Sequence, residues 1–266
     1  MMQTIFIFPN MNPIVFSIGP LHVHWYGLMY LFGFVSAYFL ALYRIKRYHL
    51  AWTTDNVDDL IFYAALGVII GGRVGYMLIY KPMQWLADPF EVFKIWEGGM
   101  SFHGGLIGVM IALAFFSRRI KKPFWTVADF VVPLVPLGLA AGRAGNFING
   151  ELWGRLTNGS WGMIFPHVDA YPRHPSQLYE LILEGFFLMA LIWIYASKPR
   201  PRACVSAIFL MGYAACRFFV EYFRQPDAPL GLFYSLSMGQ LLSIPMFIAG
   251  LFLYIFARYK NHAHVS

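Results

Sequence analysis

"IGPLHVHWYGLMYLFGFVSAYFLALYRIKR", residues 18–47, decides the fold class. A helix needs about 20 apolar residues to cross a hydrocarbon core of about 30 Å, and residues 18–43 supply that length before ending on Arg44, Lys46 and Arg47. An apolar run closed by a basic cluster is the pattern of a membrane span with its cytoplasmic flank. The rest of the chain repeats it. Further apolar runs occupy 58–80, 98–117, 125–146, 175–197, 203–223 and 237–257, making seven predicted spans. The composition agrees: 59% of the 266 residues are hydrophobic and 12% charged, against about 25% charged in an average soluble domain.

The net charge of +7 is not a nucleic-acid footprint, because the cations form short clusters between apolar runs rather than an aromatic-interleaved patch. Arg118, Arg119, Lys121 and Lys122 follow the third run, Lys198, Arg200 and Arg202 the fifth, and Arg258 and Lys260 the seventh. All fall on one side of an alternating topology. The positive-inside rule makes that side cytoplasmic, with the N-terminus outside and the C-terminus inside. The expectation is an all-α integral membrane protein of seven transmembrane helices, a single polytopic domain over 1–266. Its outer loops are 81–97, 147–174 and 224–236, and the middle one forms a small external cap.

The N-terminal "MMQTIFIFPNMNPIVFSIG" lacks a basic leader region and is broken by Pro9 and Pro13; it reads as an interfacial arm rather than a signal peptide. Cys204 and Cys216 would stand about 18 Å apart on one helix, too far for a disulfide. They show no metal-ligand spacing. The sequence indicates no metal and no soluble cofactor.

Ionisable side chains within spans cost about 2.5–3.5 kcal/mol each at the bilayer centre, so they mark polar interiors. On the charge-derived topology, His24, Tyr26, Arg73, His103, Arg143, Asn146, Glu180, Arg217, Glu221 and Gln240 all fall in the outer halves of their spans. They imply a polar cavity opening to the outer leaflet. Asp129, near an inner end, reads as a helix-start acid. Arg73, Arg143, Arg217 and Arg224 slightly outnumber Glu180, Glu184 and Glu221, and arginine forks fit phosphate oxygens. A phospholipid head group is the anion always present at that depth. Tyr213, Arg217, Glu221 and Arg224 follow helical spacing as one stripe. Glu221 and Arg224 fit either an interhelical ion-pair ladder or the site itself, and Arg217 is the stronger functional candidate.

"AGRAGNFINGELWG" (141–154) puts Arg143 and Asn146 on one helix face and then leaves the helix, presenting Asn149 and Glu151 beside the same cavity. Its glycines, Gly154 among them, permit close approach of helix or lipid. In "GGMSFHGGLIG" (98–108), His103 sits between glycine pairs; a neutral imidazole near phosphate binders can serve as a general base.

These stretches carry a resemblance. "GRAGNFINGELWG", "HWYGLMY" (24–30), "GGRVGY" (71–76), "GGMSFHGGLIG", "PRHPSQLYE" (172–180), "VEYFRQPD" (220–227) and "SMGQLLSIPM" (237–246) resemble the motifs of the bacterial phosphatidylglycerol–prolipoprotein diacylglyceryl transferase family, in order and nearly end to end. The resemblance implies an enzyme of the bacterial cytoplasmic membrane whose site faces the outer leaflet. It implies transfer of diacylglyceryl from phosphatidylglycerol to the lipobox cysteine of a prolipoprotein, releasing glycerol 1-phosphate. It carries essential roles to His103, Arg143 and Arg217 and supporting roles to Tyr26, Asn146, Glu151 and Gly154. Asn149, Glu180, Tyr213, Glu221 and Arg224 complete the set read from the residues themselves. The alternative function is an outward-facing transporter or flippase for anionic lipid. It would need polar residues along a path to the inner face, and the inner halves of the runs are nearly all apolar.

Overall fold

The computed structural model describes residues 6–9, 11–19, 21–226, 232–233 and 235–262. Residues 1–5 of the arm, Asp227 at the end of "VEYFRQPD" and part of the 224–236 loop lie outside the described residues. The chain divides into two compact units, one of residues 1–37 with 129–266 and one of residues 38–128.

Each of the seven apolar runs contains a helix: α1 (Trp25–Tyr48), α2 (Thr54–Tyr80), α3 (Phe102–Arg119), α4 (Phe124–Ile148), α5 (Ser176–Tyr195), α6 (Cys204–Val220) and α7 (Met238–Lys260). α1, α2, α4, α5 and α7 are long and apolar enough to cross a membrane, and α6 is a shorter apolar helix of 17 residues. The protein is thus a mostly helical, multi-pass membrane protein. The first run starts later than its hydropathy predicts. Residues Ile14–Ile18 and Leu21–His24 pair as an antiparallel hairpin that turns at Gly19, where φ is +57°. Leu21–His24 alternates apolar and polar residues, and its pairing with Ile14–Ile18 outweighs the average hydropathy there.

Within the 38–128 unit, α2 opens on a capping box in which Thr53 Oγ1 accepts from the Asn56 amide at 3.2 Å and Asn56 Oδ1 accepts from the Thr53 amide at 3.3 Å. α2 then meets α3 along a seam of small residues: a Cβ on Gly67, Gly71 or Gly75 would collide with backbone of Gly104 or Gly108, and the reverse holds for Gly104 and Gly108. This is the close helix contact that glycines at four-residue spacing permit within a membrane.

In the other unit, α4 carries a 3₁₀ turn at Val132–Leu134 and α5 a π-helical stretch at Leu181–Phe187. Trp193 Nε1 donates to the Pro133 carbonyl at 2.7 Å, linking the two helices at the first irregularity. A Cβ on Gly185 would strike Ala140, so the π-helical stretch presses directly on α4. Asp129 is not the start acid of its own helix, whose first turn holds no acidic residue; it caps another one. Its carboxylate accepts from the Ala203 amide (2.7 Å), the Ser206 amide (2.8 Å) and Ser206 Oγ (2.6 Å), closing the N-terminus of α6. Cys204 and Cys216 are buried free thiols.

The 147–174 segment is a folded cap with strands of its own rather than all coil. Met163–Ile164 pairs antiparallel with Pro172–Arg173 and parallel with Phe6–Ile7 of the N-terminal arm. The arm is therefore a strand of the cap. Phe8, 4% exposed, packs on Phe147, Phe165 and His167.

Candidate functional site

α4, α5 and α6 bring three arginines and three glutamates of one unit together. Arg143 reaches Glu180 through Nε at 2.8 Å and Glu184 through Nη2 at 3.2 Å. Arg217 binds the same two carboxylates through Nη1, at 2.9 and 3.4 Å, and Glu221 through Nη2 at 2.5 Å. Arg224 contacts Glu221 at 3.2 Å and Glu180 at 3.7 Å. Glu180 and Glu184 are fully buried, whereas the Arg143 side chain keeps 20% exposure and that of Arg217 14%. Buried carboxylates thus hold two cations from behind. Among the described residues, Arg143 Nη1 makes no ion pair or hydrogen bond.

This cluster corrects the charge count taken from the sequence. Arg73 belongs to the other unit and spends its fork on backbone: Nη2 donates to the Glu91 carbonyl (2.7 Å), Nε to that of Val92 (3.2 Å) and Nη1 to that of Gly98. It clamps the 89–99 loop. Without it, the cluster is balanced at three positive and three negative charges, and what it offers an anion is a directed donor rather than excess charge. Gln240 is likewise a cap: Ser237 Oγ accepts from the Gln240 amide (3.2 Å) and Gln240 Oε1 from the Ser237 amide (3.0 Å), a capping box at the start of α7. Ser237 Oγ in turn donates to Glu221 at 2.6 Å.

α4 continues from Arg143 into the second group. Glu151 accepts from Asn149 Nδ2 at 3.1 Å and from Asn146 Nδ2 at 3.4 Å. Asn146 is buried, and Glu151 is exposed. Gly150 and Leu152, on either side of Glu151, both have positive φ, at +68° and +56°.

Gly154 is a backbone junction. Its amide donates to the His174 carbonyl at 2.8 Å, it bridges Arg224, and a Cβ would meet the carbonyls of His174 and Phe223 at 2.5 Å. Any other residue would force these strands apart. Arg173 secures the same junction, donating to the Gly154 carbonyl (3.1 Å), pairing with Asp169 (2.5 Å) and lying over the Trp153 ring (4.4 Å). The Asp169 carboxyl is held below the usual range by hydrogen bonds from Arg173.

Tyr26 begins α1, edge-on to Tyr30 with ring centroids 5.2 Å apart, and lies against Gly145. Tyr213 stacks on Phe209 and packs against the buried cluster of Leu188, Ile192 and Val205, one turn before Arg217. His103, in the other unit, is an exposed residue in the first turn of α3, which Ser101 caps through the Gly104 amide at 3.2 Å. Outside the charged cluster, Trp161, Pro175, Tyr179, Ile182, Leu183, Phe219 and Phe223 line an apolar cleft of about 420 Å³ that suits hydrocarbon.

Three partners were missed or undervalued by the sequence reading. Glu184 was available from its four-residue spacing to Glu180. Ser176 and Gln177, both fully buried, lie in the quoted "PRHPSQLYE", but nothing in their type reveals that they reach backbone.

The profile of the prolipoprotein diacylglyceryl transferase family matches residues 13–256. A phosphatidylglycerol–prolipoprotein diacylglyceryl transferase from Legionella pneumophila (strain Lens) is 65% identical over 249 residues, covering 93% of this chain and 97% of its own. Proteins of the same name from Bordetella bronchiseptica and Pseudoalteromonas atlantica are 58% and 54% identical, over 94% and 98% of this chain and 96% and 94% of their own. With the match running through every helix of the charged cluster, the chain belongs to the prolipoprotein diacylglyceryl transferase family.

Proposed function

We propose that the protein transfers the diacylglyceryl group of phosphatidylglycerol to the lipobox cysteine thiol of prolipoproteins. The observation that carries this reading at the site is the Arg143 guanidinium, anchored by Glu180 and Glu184 with its Nη1 uncommitted. A donor fixed in this way is oriented before the anion arrives, and such preorganisation stabilises charge that develops in a transition state. As the glyceryl C–O bond breaks, the departing phosphate gains charge, and the thiol sulfur forms the new C–S bond. Arg143 and Arg217 serve the phosphate. Tyr26, Asn146, Asn149, Glu151, Gly154, Glu180, Tyr213, Glu221 and Arg224 bind or shape the lipid side of the site.

A thiol of pKa about 8.5 is mostly protonated at neutral pH, so the reaction benefits from a base. His103 is assigned that proton on chemical grounds. The chain acts as a single polytopic domain of seven spans in the bacterial cytoplasmic membrane, N-terminus outside and C-terminus inside. Its site faces the outer leaflet, among membrane lipids and the lipobox segments of its substrates. The basic clusters after the first, third, fifth and seventh runs support this orientation.

The test is transfer from labelled phosphatidylglycerol to a lipobox peptide by the purified protein in detergent, with cysteine or serine at the acceptor position. Thioether product with cysteine alone is expected. Folded, lipid-binding protein that gives no product with either peptide would refute the reading in favour of binding or transport.

A further inference from the structure

We propose that Ser176 and Gln177 are positioning residues, which hold the turn carrying Glu151 in a left-handed conformation and register it with Arg143. The turn has reason to relax elsewhere. Gly150 tolerates its φ of +68°, but Leu152 at +56° carries a side chain in a region that favours glycine. Two side chains of the first turn of α5 hold the backbone in place: Ser176 Oγ donates to the Leu152 carbonyl at 2.8 Å, and Gln177 Nε2 to the Glu151 carbonyl at 2.5 Å. From the other side, His167 Nε2 lies 2.9 Å from the Gly150 carbonyl.

The clamp comes from the helix that anchors the arginines. Gln177 stands one turn before Glu180 and two before Glu184, the carboxylates that bind Arg143 and Arg217. α5 therefore grips both ends of the segment 143–152, at the Arg143 guanidinium and at the Glu151 carbonyl. The separation between Arg143 and the Asn146–Asn149–Glu151 group is fixed through α5 rather than left to a turn with one unfavourable φ. Gln177 is fully buried, with Oε1 unpartnered among the described residues. The Glu151 carbonyl is thus the one hydrogen-bond partner of the Gln177 amide among those residues.

The role in catalysis rests on the transferase reading above; the role in the turn does not. The experiment compares full-length wild type, Gln177→Met, Ser176→Ala and the double variant Gln177→Met/Leu152→Gly in detergent, by transfer kinetics, thermal unfolding and hydrogen exchange. Gln177→Met keeps the length of the side chain without the donor. It is expected to speed exchange of the 150–153 amides at least about tenfold and to lower kcat by about 10- to 100-fold, the scale on which misplacement of about 1 Å is felt. KM for phosphatidylglycerol should change little, and Ser176→Ala should act in the same direction. Leu152→Gly, which removes the cost of positive φ, should restore at least half of the logarithmic loss in kcat.

A variant with unchanged exchange at 150–153 overturns the proposal whatever its activity. So does a kcat loss that Leu152→Gly fails to relieve, or one that only tracks a lower unfolding temperature. Wild type without transferase activity refutes the function, while the exchange comparison still decides the clamp.

Discussion

Arg143 and Arg217, on different helices, are bound by the same pair of fully buried carboxylates, Glu180 and Glu184. Removing either arginine leaves two cations against three buried carboxylates. Breaking a buried pair from one side costs about 3–5 kcal/mol, whereas replacing both partners by apolar groups is often near neutral. Arg217→Met should therefore lower the unfolding temperature more than Arg217→Met/Glu221→Leu does, and both should abolish transfer. A double-mutant cycle by thermal unfolding in detergent measures the coupling. A coupling below about 0.5 kcal/mol would contradict the arrangement.

Arg143→Lys keeps the charge but not the planar fork that meets Glu180 and Glu184 while leaving Nη1 free. Loss of transfer by at least about 100-fold is expected, on the scale of removing one preorganised donor. The variant should still insert and purify as a folded protein, which gel filtration in detergent checks.

The α2–α3 seam has no room for a side chain. Gly71→Leu should abolish accumulation of folded protein, because its Cβ alone would overlap backbone at Gly104 and Gly108. The loss should appear in membrane-inserted yield.

Asp129 caps α6 from α4. Asp129→Ala should cost about 1–2 kcal/mol, the range for losing an N-cap, with transfer activity per folded molecule retained. Thermal unfolding with a transfer assay separates the two effects.

His174 gives the cap a pH dependence. Burial holds its imidazole below the ordinary range; it lies against Phe223, with Nδ1 3.1 Å from the Tyr179 hydroxyl. The native state binds fewer protons than the unfolded chain. The stabilisation is therefore complete above the unfolded value of about 6.5 and is lost as pH falls through the lower folded value. Unfolding temperature should be flat above about pH 7 and decline below about pH 6, and His174→Asn should flatten that decline.

The helices were legible because hydropathy over about 20 residues averages out local detail. The same averaging hid the hairpin at 14–24, where only the Leu21–His24 strand alternates apolar and polar residues. Arg143, Arg217, Glu180 and Glu221 were legible as a group because a charge inside an apolar run needs a partner. Arg73 and Gln240 obeyed the same rule yet found their partners in loop carbonyls and a capping serine. Residue type tells that a polar group must be satisfied, not by whom. The roles of Gly154 and Gln177 depend on backbone atoms brought from distant segments, which carry no residue identity at all.

The strand Phe6–Ile7 lies beside Met163–Ile164, with α1 through α4 between them in the chain. A ribosome therefore delivers one half of this pairing long before the other. A nascent chain halted short of residue 163 would hold four helices while Phe8 still lacked Phe165. The Phe6–Ile7 segment thus waits for the middle of the protein, and cap closure reports that the chain has been made at least as far as Met163–Ile164.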